Sequence, residues 1–268
     1  MSKPADAATP AERVDVFDRI LVEIDETPES LVAAAQARCL GGPDCYFELL
    51  AVVERSAASQ AGAAASFVAD GLEHATAAAL EHATSLLEPS TARIVAGRSR
   101  EALLSEARAT DATLVAAGMH PHRRVTARLF GTLDAAVLRD APCAVLVARP
   151  GWGSSRPRQI VLGVDGSDAS LAAARAAKSL AARLDVELLP VLALGGKPLD
   201  ESVFAREHAD AVVDSRDPVT ALRSAAGECD LLVVGDRGAH RRGLVGGVSE
   251  RLVYGARSSV LVVRGPQG

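Results

Sequence analysis

The chain has 268 residues, a formal net charge of −5, hydrophobic residues at 49% and aromatic residues at only 3%. The acidic balance leaves no basic footprint for nucleic acid. No apolar run is long enough to span a bilayer, and Met1 to Glu12 lacks the apolar core of a signal peptide, so a soluble, cytoplasmic protein is expected. With so few rings, the core must be built from Ala, Val and Leu, with helices lying close on strands, which suits α/β layers. The cysteines Cys39, Cys45, Cys143 and Cys229 form no C-x-x-C pair, so they read as buried thiols rather than metal or redox groups.

Residues 1–14 are Ala/Pro-rich and polar and are expected to form a disordered arm. Arg19 to Asp25 then reads as a buried strand closed by a turn at Glu26–Glu29. A helix from Ser30 to Leu40 stops at Gly41-Gly42. Phe47 to Val53 is a second strand, Gln60 to Leu87 a long Ala-rich helix, and Ala92 to Ala96 a third strand stopped by Gly97. Ser99 opens a helix with Glu101 near its positive end. The strand ending at Gly118, a loop carrying His122-Arg123-Arg124 and Gly131-Thr132, a helix, and the strand Ala144 to Ala148 complete this half.

Residues 151–157 form a linker by composition. The pattern then restarts. Ile160 to Asp165 is a strand and Ala169 to Leu184 a helix, with Asp25 matching Asp165 at an offset of 140. At the far end Gly131 matches Gly246 and Arg149 matches Arg264, at an offset of 115. The chain therefore divides into two copies, 15–150 and a shortened 158–268, with most of the loss between Leu194 and Ala211. Asp217-Pro218 opens a helix as a capping residue followed by proline.

Alternating strands and helices imply parallel sheets with right-handed crossovers. The fold class is α/β: two doubly wound, five-stranded, Rossmann-like domains in tandem. In such folds a ligand sits beyond the strand C-termini where strand order reverses. The loops after the first and fourth strands meet there, carrying Asp25 and Gly118 in one copy and Asp165 and Gly235 in the other. A glycine loop leading into a helix offers free N–H groups to phosphate.

Other patterns carry less chemistry. His122-Arg123-Arg124 and its repeat His240-Arg241-Arg242 bring positive charge to both loops and suit phosphate contact or a solvated surface. His74 and His82 lack the spacing of a zinc site. Gly196-Lys197-Pro198 is not a P-loop. Asp214 ends a strand as a receiver phospho-acceptor would, but the fifth strand lacks the lysine such a domain needs. No general base and nucleophile stand out as a pair, so no enzyme activity is expected beyond a weak ATPase.

Val164-Asp165-Gly166-Ser167, Val248-Ser249-Glu250-Arg251 and Ser259 to Arg264 together resemble the universal stress protein family, in tandem form over roughly Arg19 to Gly265. The resemblance implies a stress-response regulator that binds ATP, with Mg²⁺, without efficient catalysis. Carried over, the nucleotide contacts are Asp25, Val52, Gly118, Gly131 and Thr132 in the first copy. In the second they are Asp165, Val191, Gly235, Gly238, Gly246 and Gly247. The loops depart from the family pattern. Pro121 replaces the second glycine of the first copy, removing an N–H. The second copy is two residues short and has Gly247 where a hydroxyl is expected. Two alternatives stand beside ATP binding: a scaffold of the same fold with defunct clefts, and an enzyme of a related adenosine-binding family. The short apolar final strands, Ala144 to Ala148 and Ser259 to Val263, are open edges that seek partners. By resemblance they join the two copies as an intramolecular pseudo-dimer, and a further homodimer is compatible with the sequence.

Overall fold

A computed structural model describes residues 17–53, 65–119, 135–152, 156–196, 198, 210–227, 229–236 and 247–265. The arm at 1–14 lies outside these residues. The first half contains β1 (Arg19–Ile24), α1 (Pro28–Leu40), β2 (Tyr46–Val53), α2 (Ala65–Leu86), β3 (Ser90–Ala96), α3 (Ser99–Ala109), β4 (Leu114–Gly118), α4 (Ala135–Asp140) and β5 (Ala144–Ala148). The second contains β6 (Gln159–Val164), α5 (Asp168–Leu184), β7 (Glu187–Ala193), β8 (Val212–Asp214), α6 (Pro218–Ala225), β9 (Leu231–Asp236), α7 (Val248–Gly255) and β10 (Ser259–Arg264). Buried strands such as Leu114–Gly118 and Ala144–Ala148 are continuous apolar runs, as parallel strands covered on both faces require.

Sheet order is β3-β2-β1-β4-β5-β10-β9-β6-β7-β8. Each half thus has the same doubly wound order, and every pairing inside a half is parallel. The expected two sheets are joined into one of ten strands, because β5 pairs antiparallel with β10. The final strands, open edges of their own halves, are therefore the centre of the whole. The register places Leu146 opposite Leu261, Val145 opposite Val262 and Val147 opposite Val260. Under the offset of 115, Leu146 corresponds to Leu261, so this pair sits on a pseudo-two-fold axis and its neighbours exchange roles. That is the self-complementary contact of a two-fold dimer, made within one chain.

One core cluster lies beneath α1, α2 and α5 and the other beneath α3, α4, α6 and α7. Trp152, at the start of the segment read as a linker, is buried in the first of these. Small side chains let the helices lie close: Ala33, Ala34 and Ala37 of α1 and Ala173, Ala176 and Ala177 of α5 are all buried.

The seam is also polar. Gln36 is fully buried and donates through Nε2 to the Arg149 carbonyl at 2.7 Å. The Ser259 hydroxyl donates to Gln36 Oε1 at 2.8 Å and accepts from the Arg149 N–H at 2.9 Å. The mirror positions, by the two offsets, are Ala176 and Ala144, so the pseudo-symmetry has a polar network on one side and two methyl groups on the other. Arg183 of α5 caps the end of α1, donating to the carbonyls of Cys39, Leu40 and Gly41 at 3.2, 2.6 and 2.8 Å. These carbonyls have no partner within their own helix and carry its negative dipole end. Gly41 itself has φ −67°, so its role is space rather than handedness: an added Cβ would lie 2.9 Å from Cys45.

Candidate functional site

Since β5 and β10 run antiparallel, the strand C-termini of the two halves emerge at opposite edges of the shared sheet. The candidate clefts are therefore two separate places. In the first, β1 and β4 pair in register Val22 to Ala116, which brings Asp25, just beyond β1, alongside the end of β4 at Gly118. In the second, Leu162 pairs with Val233, which brings Asp165 alongside Gly235 in the same way. Strand order reverses at each point, between β1 and β4 and between β6 and β9.

Both aspartates cap a turn. Asp25 Oδ1 accepts from the Thr27 N–H at 3.0 Å and from its hydroxyl at 2.5 Å. Asp165 Oδ1 accepts from Ser167 in the same two ways, at 3.0 and 2.6 Å. Such turns hold a carboxylate at a strand end by local bonds. Gly166 is left-handed in the second turn, with φ 77°, whereas Glu26 at the matching place in the first turn is not. Ser167 then caps α5 through its side chain, accepting from the Ser170 N–H at 3.2 Å.

Gly118 and Gly235 are explained by closeness. A Cβ on Gly118 would stand 2.4 Å from the Glu29 backbone, and one on Gly235 would stand 2.4 Å from the Ala169 backbone. The first turns of α1 and α5 are pressed onto the ends of β4 and β9, and only glycine leaves room.

Val52 is half-buried near the end of β2, and Val191 is buried in β7. Their registers differ. Ala51 pairs with Ile24, whereas Leu192 pairs with Val164, the counterpart of Ile24. The residue in the place of Val52 is therefore Ala193, and Val191 lies deeper, opposite Gly163. Gly247 caps α7 with no side-chain bond, and open space surrounds the position a Cβ would take. Gly131, Thr132, Gly238, Gly246 and both His-Arg-Arg segments lie outside the described residues.

Three polar residues that were not singled out as contacts meet at the second cleft. Asp236, directly after Gly235, accepts from the Ser249 hydroxyl at 3.1 Å and is paired with Arg264. Ser249 is in the first turn of α7 and Arg264 ends β10. Burial, the larger influence, lowers the Arg264 pKa, and Asp236 opposes it. The signal for Asp236 was its place in the glycine loop, where Asp236 and Arg237 stand between Gly235 and Gly238. A cavity of about 510 Å³ lies at the other end of the first half, lined by Arg19, Tyr46, Glu48 and Thr110. It is at the strand N-termini and takes no part in either cleft. Among the described residues no group of three or more His, Cys, Asp or Glu could hold a metal, and no helix is long and apolar enough to cross a membrane.

The model of the Universal stress protein family matches residues 17–149 and 197–264. This chain belongs to that family. Universal stress protein Rv2623 and Universal stress protein MT2698, from two strains of Mycobacterium tuberculosis, are each 29% identical over 184 residues. That alignment takes in 58% of this chain and 62% of each relative, so the chain spans under two thirds of their length. A universal stress protein from Archaeoglobus fulgidus superposes with a TM-score of 0.68 at 16% identity, covering 94% of this chain and 99% of that one. The protein PA1789 from Pseudomonas aeruginosa gives 0.62 at 18% identity, covering 96% and 95%. At these identities the likeness is one of fold, and it runs through both halves of the universal stress protein described here.

Proposed function

We propose that this protein is a nucleotide-responsive regulator that binds an adenine nucleotide in at least one cleft and does not turn it over efficiently. The observation that carries this reading is the double one: each half sets an aspartate at the end of its first strand beside a glycine at the end of its fourth. Both pairs stand where doubly wound sheets hold ligands. The carboxylates suit ribose or adenosine hydroxyls as acceptors. Mg²⁺ would travel on the phosphate oxygens, since no described cluster holds a metal alone.

Native mass spectrometry of the purified chain tests the reading directly. Bound ATP or ADP, together with a raised melting temperature in millimolar ATP and Mg²⁺, is expected. A nucleotide-free mass and an unmoved melting temperature would end it.

A scaffold with defunct clefts is favoured by one specific finding. Packing explains Gly118 and Gly235, and local turns explain the bonds that Thr27 and Ser167 make to Asp25 and Asp165. The same experiment separates the two readings.

A further inference from the structure

We propose that the cavity at the strand N-termini of the first half binds a free amino acid with an aromatic or large apolar side chain, held as a zwitterion between Arg19 and Glu48. At about 510 Å³ the cavity has the size of a small-molecule site. It lies at the opposite end of the strands from the first cleft, so the proposal is independent of the nucleotide reading.

The sheet register builds the site. Arg19 of β1 pairs with Tyr46 of β2, and Leu21 pairs with Glu48, so these four stand on one face of two neighbouring strands. Further along that face Leu50 is buried in the core beneath α3. At Tyr46 and Glu48 the face turns polar, and Thr110 and Ala112, just beyond the end of α3, complete the lining. Leu21 and Ala112 are buried and give it an apolar floor, while exposed Tyr46 offers a ring for a ligand side chain.

The charges converge without cancelling. The Arg19 guanidinium donates to the Thr110 carbonyl at 2.9 Å through one nitrogen, which leaves its other N–H groups for a ligand. Glu48 is half-buried. Burial, the largest influence, raises its pKa, the Thr110 hydroxyl opposes that, and Glu106 adds to it. The nearby cation on β3, Arg93, is bound to Glu106 of α3. Among the described residues neither Arg19 nor Glu48 forms an ion pair, so one cavity presents a cation and a carboxylate that are both available. A ligand with charge of a single sign is repelled by one of the two, and a zwitterion satisfies both.

The second half does without this arrangement. By register, Gln159, Glu187 and Leu189 stand where Arg19, Tyr46 and Glu48 stand in the first. There Gln159 Nε2 donates to Glu187 at 2.9 Å across the two strands, and Leu189 continues the apolar face. A leucine thus suits the place that Glu48 holds, and packing gives no reason for a half-buried carboxylate there.

The test is a titration of the full ¹⁵N-labelled chain with L-phenylalanine, and separately with phenethylamine, which lacks the carboxylate, and 3-phenylpropanoate, which lacks the ammonium. The Ala112 amide reports the cavity, and the Gly235 amide serves as a distant control. Phenylalanine is expected to move Ala112 saturably and leave Gly235 in place. Each analogue should bind at least about tenfold more weakly, the size of one lost charge interaction. Arg19→Gln and Glu48→Leu give the first half the side chains of the second, and each should weaken phenylalanine by about tenfold or more. If either variant fails to fold, the two analogues decide the matter on the native protein. An unmoved Ala112 overturns the proposal. Residues 1–16 are present throughout, so a cavity already filled by the chain itself gives that same result. Equal binding of all three ligands, or unchanged phenylalanine affinity in the folded variants, overturns it as well, since the charges would then select nothing.

Discussion

Arg149 and Arg264 exchange places across the centre of the molecule. The Arg149 guanidinium reaches the Val253 carbonyl in α7, and the Arg264 guanidinium reaches the Leu138 carbonyl in α4. The offset of 115 that relates the arginines also relates Leu138 to Val253, so the two contacts are one contact made twice. Arg264 ends β10, Arg149 directly follows β5, and each holds the last helix of the other half. The apolar register around Leu146 and Leu261 closes the sheet, and these two charged bonds fix how the helices sit over it.

Truncating either arginine should therefore weaken the whole chain, not one half. Arg149→Met or Arg264→Met is expected to cost about 1.5–3 kcal/mol, the range for hydrogen bonds to charged groups. Urea unfolding followed by circular dichroism measures this, and a single shared transition is expected because β5 and β10 belong to one sheet. Two well-separated transitions, with only one moved by the substitution, would mean the halves stand alone.

Glycine-to-alanine changes at the fourth-strand ends separate packing from ligand contact. Gly118→Ala and Gly235→Ala each place a methyl group where backbone already lies, and should destabilise by about 1–3 kcal/mol as overpacking does. Gly247→Ala meets open space and costs only the poorer N-cap, so it should destabilise by no more than about 1 kcal/mol. Chemical denaturation without nucleotide is the measurement. Equal small effects at all three positions would show that the close approach of α1 and α5 yields readily.

Much of this arrangement was legible in the chain before any coordinates. Asp217-Pro218 starts a helix as read, with the carboxylate accepting from Val219 and Thr220 at 3.2 Å each. The matched aspartates and glycines were visible because turn and packing demands are local and recur in each copy. The seam was only half visible. Two short apolar strands announce unpaired edges, but register is a property of both strands together, and Leu146 opposite Leu261 is written in neither alone. Gln36 and Arg183 escaped notice for the same reason: each sits on an ordinary helix and acquires its role from carbonyls 113 and about 143 residues away. Val191 was misaligned with Val52 by two residues, which a buried apolar run with no polar marker cannot reveal.

The start of the second half is locked by an ion pair that should show in acid. Asp230, just before β9, accepts from the Arg158 N–H at 2.7 Å and from its guanidinium at 3.1 and 3.0 Å. The Arg158 side-chain bond is the chief cause that holds the Asp230 pKa below its usual value. A depressed carboxylate contributes stability that is present above the unfolded pKa and disappears as pH falls through the folded one. Native protein should therefore lose stability more steeply than Asp230→Asn below about pH 4, near the unperturbed aspartate value. Parallel acid-unfolding curves would show that the pair contributes nothing to folding.

The cysteines make the opposite prediction at the alkaline end. Burial pushes the Cys143 thiol up to about 12 and the Cys229 thiol up to about 11, with Arg264 pulling Cys143 back only in part. Burial also raises the thiol of Cys39, which is only partly enclosed. A raised pKa means the fold favours the protonated thiol. The stability this gives is complete below the unfolded thiol value near 9 and is lost as pH climbs toward 11 and 12. Denaturant midpoints should fall over that span, and Cys143→Ala should flatten the slope even though its cavity lowers the midpoint throughout. The difference between the two slopes is the informative quantity, not either slope alone. Thiolates are the reactive form, so a thiol reagent at pH 8 should label Cys39 ahead of Cys143 and Cys229, which should react only on unfolding. Rapid labelling of Cys143 in native protein would show that α4 and β5 open far more often than their burial implies.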